Sequence, residues 1–373
     1  MRIALVHDYL AQDGGAERVL KAFHEIWPEA PIFVLFHDEK KINYFNRENI
    51  RESFLKNMPF VSSRFQWYLP LMPIATEKHD LRGYDVVLSS TSTFAKGVLT
   101  HPGTLHISYC HTPTRFLWSD TDQYLTDLNY NAVVRAVLMP LLYRLRLWDK
   151  MSADRADHFI ANSQTVHHRI YKYYRRESDV ITPPIDTTQF TPSETVDTYF
   201  VAGGRLVPYK RLDIAVQAFN RLRLPLKIFG TGPELNRLQR MAKPNIEFLG
   251  RISESEKANL LKRAQAFIHP QIEDFGITPL ESMASGRPVI AFASGGATET
   301  VVPKQTGVFF HEQNWEALVD TLLHFDKNDW NSTLIQEHAQ QFDILHFKNK
   351  IQDYVHHRFE EFKNGLRQPS LIA

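Results

Sequence analysis

The chain has 373 residues, 43% hydrophobic and 23% charged, which is an ordinary globular mixture and long enough for two domains. Its 43 basic residues nearly balance its 42 acidic residues, so there is no overall positive field for binding nucleic acid, and no nucleic-acid partner is expected. The single cysteine, Cys110, excludes an internal disulfide framework and a cysteine-rich zinc module, which favours a reducing, cytoplasmic compartment.

The first half of the chain alternates short apolar runs with longer amphipathic segments. The opening run, residues 3–6, is too short for the apolar region of a signal peptide, so we expect a buried strand there and no export signal. Residues 16–26 follow with helical periodicity. Further strand-like runs lie at residues 32–36, 86–89, 105–109 and 158–161. This alternation is typical of a parallel sheet wound with helices.

Three turns that follow these predicted strands carry residues suited to binding. Gly14 and Gly15 separate the first strand from the first helix, where missing side chains let a ligand approach the helix amides; a tight turn is the alternative. His111 begins a His-Thr-Pro-Thr-Arg string that ends at Arg115, although a lone histidine is more often structural. Asn162 either lines a site or belongs to the cap of the next helix. Because ligands collect at the carboxyl ends of parallel strands, all five are candidate site residues.

Residues 132–148 form the most apolar stretch of the chain, but cations and a proline interrupt it before the ~20 residues that span a bilayer. The interrupting residues are Arg135, Pro140, Arg144 and Arg146. A stripe at helical spacing predicts a face buried in protein, and it comprises Val134, Leu138, Leu141 and Leu145. The cations and the aromatic segment 65–73 also suit an interfacial surface, so a peripheral membrane contact remains the alternative to core packing.

A proline pair, Pro183 and Pro184, and the polar stretch 187–198 separate the two halves, because prolines end regular structure. We therefore expect a first domain over residues 1–190 and a second over 191–345. The strand and helix alternation restarts in the second, with strand-like runs at residues 199–202, 226–229, 246–249, 266–269 and 289–291. Residues 346–373 are predicted to form a C-terminal helix and tail.

Two cations follow the first strand of the second domain. Arg205 and Lys210 come after the pair Gly203-Gly204, and we expect Lys210 to open a helix whose amino-terminal dipole favours anions. Most basic turns of this kind are simply solvated. The glycine pair favours a second interpretation, in which both cations bind a diphosphate.

Two glutamates, Glu273 and Glu281, flank a predicted turn from strand to helix. A carboxylate on the loop can accept hydrogen bonds from sugar hydroxyls, and one on the helix can accept both hydroxyls of a ribose. The backbone amides of Phe275, Gly276 and Ile277 stand at the helix start, where no intrahelical partner exists. On spacing alone, a capped helix with a surface glutamate would be the favoured interpretation.

Several other short motifs argue against competing functions. Asp120 and Asp122 have the Asp-x-Asp form of a metal site, but such pairs usually cap helices or face water, so no metal is expected. The turn containing Gly232 lacks the third glycine of a dinucleotide fingerprint, because position 235 is Leu235. That departure argues against a dehydrogenase, and the chain has no P-loop string.

Taken together, the string Gly203 to Arg211 and the segment from Glu273 through Glu281 to Gly286 resemble the retaining GT-B glycosyltransferases, specifically glycosyltransferase family 4. The resemblance implies an α/β GT-B fold of two Rossmann-like, doubly wound parallel-sheet domains that face a cleft. It also implies a C-terminal helix that crosses back to the first domain.

The resemblance also implies roles for the candidate residues. It assigns catalysis to His111, Arg205, Lys210 and Glu273. It assigns donor binding to Gly14, Gly15, Asn162, Gly232, Arg251, Phe275, Gly276, Ile277 and Glu281. Arg115 is a weaker candidate for the acceptor, and no metal or other cofactor is implied.

The implied activity is transfer of a hexose from a nucleotide sugar to an acceptor hydroxyl with the anomeric configuration kept. GDP-mannose is the first expected donor and UDP-glucose the second, and the acceptor is a saccharide, free or lipid-linked, as in bacterial mannosyltransferases that build surface polysaccharide. The expected place of action is the cytoplasm, or the cytoplasmic face of a membrane. The alternatives are a nucleotide-sugar epimerase or a phosphorylase on the same fold, and a non-catalytic module that binds nucleotide sugars.

Overall fold

The computed structural model describes residues 1–121 and 132–367 of the chain. The chain divides into two compact units, residues 1–182 together with the segment from Phe347 onward, and residues 183–346, here called the first and second domains. Asp122 of the Asp-x-Asp motif lies outside the described residues, as do the side chains of Val134 and Arg135.

The first domain contains a seven-stranded parallel sheet in the order β3-β2-β1-β4-β5-β6-β7. Its strands are β1 (Ile3–His7), β2 (Ile32–Val34), β3 (Ile50–Glu52), β4 (Val86–Thr91), β5 (Leu105–Cys110), β6 (His158–Ala161) and β7 (Asp179–Val180). The helices are α1 (Gly15–Ile26), α2 (Val61–Arg64), α3 (Met72–Glu77), α4 (Ala132–Ala153) and α5 (Gln164–Tyr174). Strands β1, β4 and β5 are buried along their whole length, as expected for parallel strands covered on both faces.

The second domain contains a six-stranded parallel sheet in the order β10-β9-β8-β11-β12-β13. Its strands are β8 (Phe200–Gly203), β9 (Leu226–Phe229), β10 (Ile246–Gly250), β11 (Phe267–His269), β12 (Val289–Phe292) and β13 (Gly307–Phe310). The helices are α6 (Leu212–Leu222), α7 (Leu235–Met241), α8 (Glu254–Arg263), α9 (Ile277–Ala284), α10 (Ala297–Thr300), α11 (Trp315–Leu323) and α12 (Ser332–Gln340). Successive residues of β8 serve opposite faces: Phe200 packs with Phe219 of α6, whereas Val201 packs with Leu280 of α9.

The last helix, α13 (Ile344–Arg367), packs against the first domain from Phe347 onward, as expected from the sequence. The Phe347 ring stacks on Phe23 of α1 with 5.9 Å between ring centroids. Further along the helix, the Tyr354 hydroxyl and the Arg358 guanidinium both donate hydrogen bonds to the Asp179 carboxylate, at 2.8 and 2.9 Å. Among the helices that the structure describes, none combines the length and the apolar character needed to cross a bilayer.

The domain division falls after residue 182, eight residues before the position expected from the sequence. Ile185 already belongs to the second domain, because its backbone amide donates to the Phe342 carbonyl at 2.9 Å. Phe190 likewise lies in the core cluster that contains Phe267 and Phe275. The segment expected to end the first domain is therefore packed into the second.

Three strands were not among the sequence predictions, namely β3, β7 and β13. Strands β3 and β7 have only three and two residues and are partly exposed, so neither carries a full apolar run. A local expectation for Lys210 is also wrong. It ends a 3-10 turn, Pro208–Lys210, and α6 begins two residues later behind Arg211, whose φ of 49° is left-handed.

Candidate active site

Each sheet has one position where the chain reverses its direction of winding, between β1 and β4 in the first domain and between β8 and β11 in the second. Ligands of open α/β sheets bind outside the carboxyl ends of the strands at such a switch point. We call these two positions the first-domain site and the second-domain site.

The second-domain site is built around an ion pair between Lys210 and Glu273. The ammonium of Lys210, at the end of the 3-10 turn after β8, contacts the carboxylate of Glu273 on the loop after β11. Only 13% and 17% of the two side chains is exposed. Partial burial strengthens this attraction relative to a surface pair. Two of the three second-domain residues that the resemblance assigned to catalysis, Lys210 and Glu273, are therefore in direct contact.

His269, the last residue of β11, completes this group and was missed by the sequence analysis. Its ring is fully buried, and its Nε2 lies 4.0 Å from an oxygen of Glu273. Burial, with a smaller effect of the Lys210 charge, lowers the pKa of His269 to about 3. The imidazole is therefore neutral at pH 7, with one nitrogen that can donate a hydrogen bond and one that can accept. Within the described part of the chain, neither nitrogen has a hydrogen-bond partner.

Helix α9 begins beside Glu273 at a glycine with left-handed backbone geometry. Gly276 has φ 96° and caps the helix without any side-chain hydrogen bond. The first amides of α9, from Ile277 onward, have no partner within the helix. Gly296 holds the loop that carries Glu273, because the Gly296 backbone amide donates a hydrogen bond to the Glu273 carbonyl at 2.8 Å. A Cβ at Gly296 would lie 2.3 Å from the Phe275 backbone, so this support requires glycine.

Glu281, in the second turn of α9, is paired with a lysine that the sequence analysis did not single out. Lys257 of α8 donates to a Glu281 oxygen at 2.8 Å and also lies 2.7 Å from Glu254. Glu281 and Lys257 are only 2% and 6% exposed. A buried carboxylate is costly unless it is paired, so Lys257 stabilises Glu281 in this buried position.

The remaining predicted residues of the second domain lie on neighbouring turns. Arg205 is exposed, and its guanidinium donates to the Tyr209 hydroxyl at 3.3 Å. Arg251 is exposed directly after β10. Gly232 packs backbone to backbone, because a Cβ there would lie 2.2 Å from the Leu206 carbonyl oxygen. Its lack of a side chain is thus explained by packing between two turns.

The first-domain site is a chain of buried polar groups that ends at His111. His111 Nε2 lies 2.8 Å from the Ser90 hydroxyl, and Ser90 in turn lies 3.1 Å from Nδ1 of His7. The other nitrogen of His7 lies 3.7 Å from a carboxylate oxygen of Glu17. The Gly14-Gly15 turn adjoins this chain, because a Cβ at Gly14 would lie 3.0 Å from the Glu17 carboxylate.

The hydrogen-bond partners assign the protons along this chain. His7 Nδ1 also contacts the Ser90 carbonyl oxygen at 3.1 Å, and a carbonyl only accepts, so His7 Nδ1 carries a proton. Ser90 can then donate its hydroxyl proton to His111 Nε2. Burial, with a smaller effect of His7, lowers the pKa of His111 to about 3, so its ring is neutral; with Ser90 donating to Nε2, the ring proton resides on Nδ1. His111 is therefore fixed as a neutral donor.

Other first-domain groups hold the loops around His111. Asp8 accepts four backbone amides of residues 92–95, at 2.7 to 2.9 Å, and so fixes the loop after β4. Asp149 pairs with buried Lys96 at 2.5 Å and accepts the Thr114 hydroxyl at 2.7 Å, which anchors the loop after His111. Sequence patterns did not reveal the roles of Asp8 and Asp149, since each carboxylate contacts groups that are distant along the chain.

The last two predicted residues of the first domain have identifiable structural contacts. Asn162 is buried, and its Oδ1 accepts from Ser163, which itself caps α5 through the Val166 amide. Arg115 lies 3.8 Å from Asp120. No group of three or more His, Cys, Asp or Glu side chains that could hold a metal ion occurs within residues 1–121 and 132–367.

Solved structures define the class of the fold. Anabaena HepE, solved with UDP and glucose, superposes with a TM-score of 0.70 at 18% identity over 95% of this chain and 99% of HepE. Sucrose-phosphate synthase from Thermosynechococcus elongatus gives 0.75 at 15% identity over 97% and 100%. The fold is therefore GT-B, as expected from the sequence.

Two family models match consecutive parts of the sequence. "Glycosyltransferase Family 4" matches residues 13–189, and "Glycosyl transferases group 1" matches residues 186–342. The chain belongs to glycosyltransferase family 4, and the family resemblance is confirmed.

Curated relatives include mannosyltransferases. Alpha-1,3/1,6-mannosyltransferase ALG2 of Candida glabrata is 23% identical over 61% of this chain and 58% of its own length. The O-antigen chain mannosyltransferase RfbU of Salmonella typhimurium is 30% identical over 38% of this chain and 43% of its own. The match thus spans about half the length of these relatives.

Proposed function

We propose that the protein transfers a hexose from a nucleotide sugar to an acceptor hydroxyl with retention of configuration, and that the favoured hexose is mannose. The observation that carries this proposal is the Lys210–Glu273 pair beside the uncapped start of α9. A cation, a carboxylate and helix amides together provide partners for a diphosphate and for sugar hydroxyls. Mannosyltransferases among the relatives, one of them named as GDP-mannose-dependent, favour GDP-mannose over UDP-glucose.

In the proposed reaction, the bond from the anomeric carbon to the diphosphate oxygen breaks, and a bond to the acceptor oxygen forms on the same face. Negative charge grows on the leaving diphosphate, where Arg205, Lys210 and the Gly15 amide stabilise it without requiring a metal. A diphosphate oxygen takes the acceptor proton. Glu273 and His111 orient the sugar hydroxyls, His111 as the neutral donor fixed by Ser90.

The acceptor in this proposal is a saccharide, free or lipid-linked, at the cytoplasmic face of a membrane. The relative from Corynebacterium glutamicum is named for action on a phosphatidylinositol monomannoside, which is a lipid-linked sugar. RfbU and the O-antigen chain mannosyltransferase C of Escherichia coli are both named for the O-antigen chain.

A donor screen followed by a matched lysine pair tests the proposal. GDP-mannose should raise the unfolding temperature of the purified protein more than UDP-glucose does, because a ligand stabilises the state that binds it. Nucleotide release from that donor should then fall by about three orders of magnitude in Lys210→Ala. The control is Lys227→Ala, which removes another ion-paired lysine of the same domain, 3.6 Å from Glu247 and far more exposed. It should release nucleotide like the wild type.

Either of two results would overturn the proposal. No response to any nucleotide sugar would remove the function. Unchanged release in Lys210→Ala, with normal folding, would remove this site assignment.

A further inference from the structure

Helix α4 carries an apolar stripe that faces solvent, opposite to the face that the sequence predicted to be buried. Met139, Tyr143, Leu147 and Met151 recur every four residues, and each is between 48% and 66% exposed. Residues four apart lie on one face of a helix, so the stripe is continuous over about 18 Å. We call these four residues the α4 stripe.

The inner face of α4 is already buried in the core of the first domain. Leu142 and Leu145 are buried in the core cluster that also contains Met72 and Ala75 of α3. The helix is therefore apolar on two opposite faces, and only one of them has a partner within the described residues. Single exposed apolar side chains are ordinary, but a contiguous row of four along one helix marks an interaction surface.

Cations border the α4 stripe. Arg144 is exposed, and Arg146 and Lys150 are half-buried. The one acid between residues 138 and 151, Asp149, is buried and paired with Lys96. Asp154 follows at the helix end, where it pairs with Lys150 at 3.1 Å. An apolar row between cations, with an aromatic hydroxyl at Tyr143, matches the headgroup and acyl boundary of an anionic bilayer.

We propose that the α4 stripe docks the protein on an anionic lipid surface. A second copy of the chain is the competing occupant. A row about 18 Å long and about 10 Å wide covers only about 180 Å², however, well short of the ~800 Å² per partner of a stable interface. Pairing two such rows would also bring like charges together. The inference deepens the proposed function, since docking would bring the enzyme to a lipid-linked acceptor.

Vesicle sedimentation with the full chain tests the docking. Wild-type protein should sediment with vesicles containing about one third phosphatidylglycerol and remain in solution with phosphatidylcholine alone. The double variant Tyr143→Ser/Leu147→Ser should bind about tenfold more weakly, because two inserted side chains are lost. The matched control Leu323→Ser/Leu334→Ser changes two exposed leucines of the second domain, 67% and 46% exposed, and should bind like the wild type.

The charge component has its own variant. Arg144→Glu should weaken binding several-fold, and added salt should weaken wild-type binding in the same way. Equal sedimentation of the wild type with and without anionic lipid, or of the stripe variant and the wild type, would overturn the proposal. So would a wild-type dimer by light scattering that the stripe variant converts to monomer, since the row would then be an interface between chains.

The donor assay separates this inference from the proposed function. Donor-induced stabilisation needs no lipid, so it should be the same in the stripe variant as in the wild type. Lost donor binding with intact vesicle binding would remove the glycosyltransferase proposal alone, and the reverse would remove docking alone.

Discussion

The two sites occupy the same topological position in their sheets but differ in charge. The second-domain site holds a salt bridge, Lys210 with Glu273, that is partly open to solvent. The first-domain site ends in a buried, neutral histidine held by Ser90. A diphosphate calls for charge, whereas a sugar hydroxyl is bound by neutral donors and acceptors. The difference teaches that one fold, used twice, can carry a charged pair at this position in one copy and a neutral, buried donor in the other.

The largest expected effect concerns the buried pair behind the second-domain site. Lys257→Ala removes the cation that pairs with the buried Glu281 carboxylate, so we expect the free energy of unfolding to fall by about 3–5 kcal/mol. Urea denaturation measures this. The double variant Lys257→Met/Glu281→Leu should recover much of the loss, because no charge remains buried. A loss below about 1 kcal/mol in Lys257→Ala would show that Glu281 is solvated instead.

The next largest effect is the loss of stability in acid, to which buried histidines of both domains contribute. His79 and His106 have pKa values lowered to about 4, and His111 to about 3, all in the first domain; His269, lowered to about 3, lies in the second. Burial is the main cause in each case. A histidine with a depressed folded pKa takes up its proton on unfolding, so its contribution is complete above pH 6.5 and is lost as the pH falls toward the folded value.

The measurement is the free energy of unfolding as a function of pH. His269→Gln should remove a slope of about 1.4 kcal/mol per pH unit between pH 6 and 4, which sums to about 3 kcal/mol. A variant with the same slope as the wild type would show that His269 is solvated. His106→Gln is the first-domain counterpart and should remove a similar slope over a slightly narrower range.

Local patterns sufficed for much of this molecule and failed at identifiable places. The long apolar strands were predictable because β1, β4 and β5 are buried throughout, and the glutamates and cations were recognisable from their motif. Neither Lys257 nor Ser90 could be found that way, since their partners lie 24 and 21 residues away and no local pattern encodes the contact. Helix α4 shows a further limit: the predicted face is buried, as Leu145 shows, but the pattern did not reveal that the opposite face is also apolar and is exposed.

The smallest effect tests whether Ser90 positions His111. Ser90→Ala removes the hydroxyl that fixes the His111 proton on Nδ1, so we expect the kcat for sugar transfer to fall about tenfold while KM changes less than about twofold. Strand β4 supplies its own control. The preceding residue, Ser89, makes the same kind of buried contact with His106 at 2.9 Å, on the opposite face of the strand.

Ser89→Ala and Ser90→Ala should therefore lose similar stability, about 1–2 kcal/mol each, but only Ser90→Ala should lose turnover. Ser90→Thr keeps the hydroxyl and should restore kcat. If both alanine variants lower kcat alike, the effect is one of folding, and the buried chain from His7 to His111 has no role in catalysis.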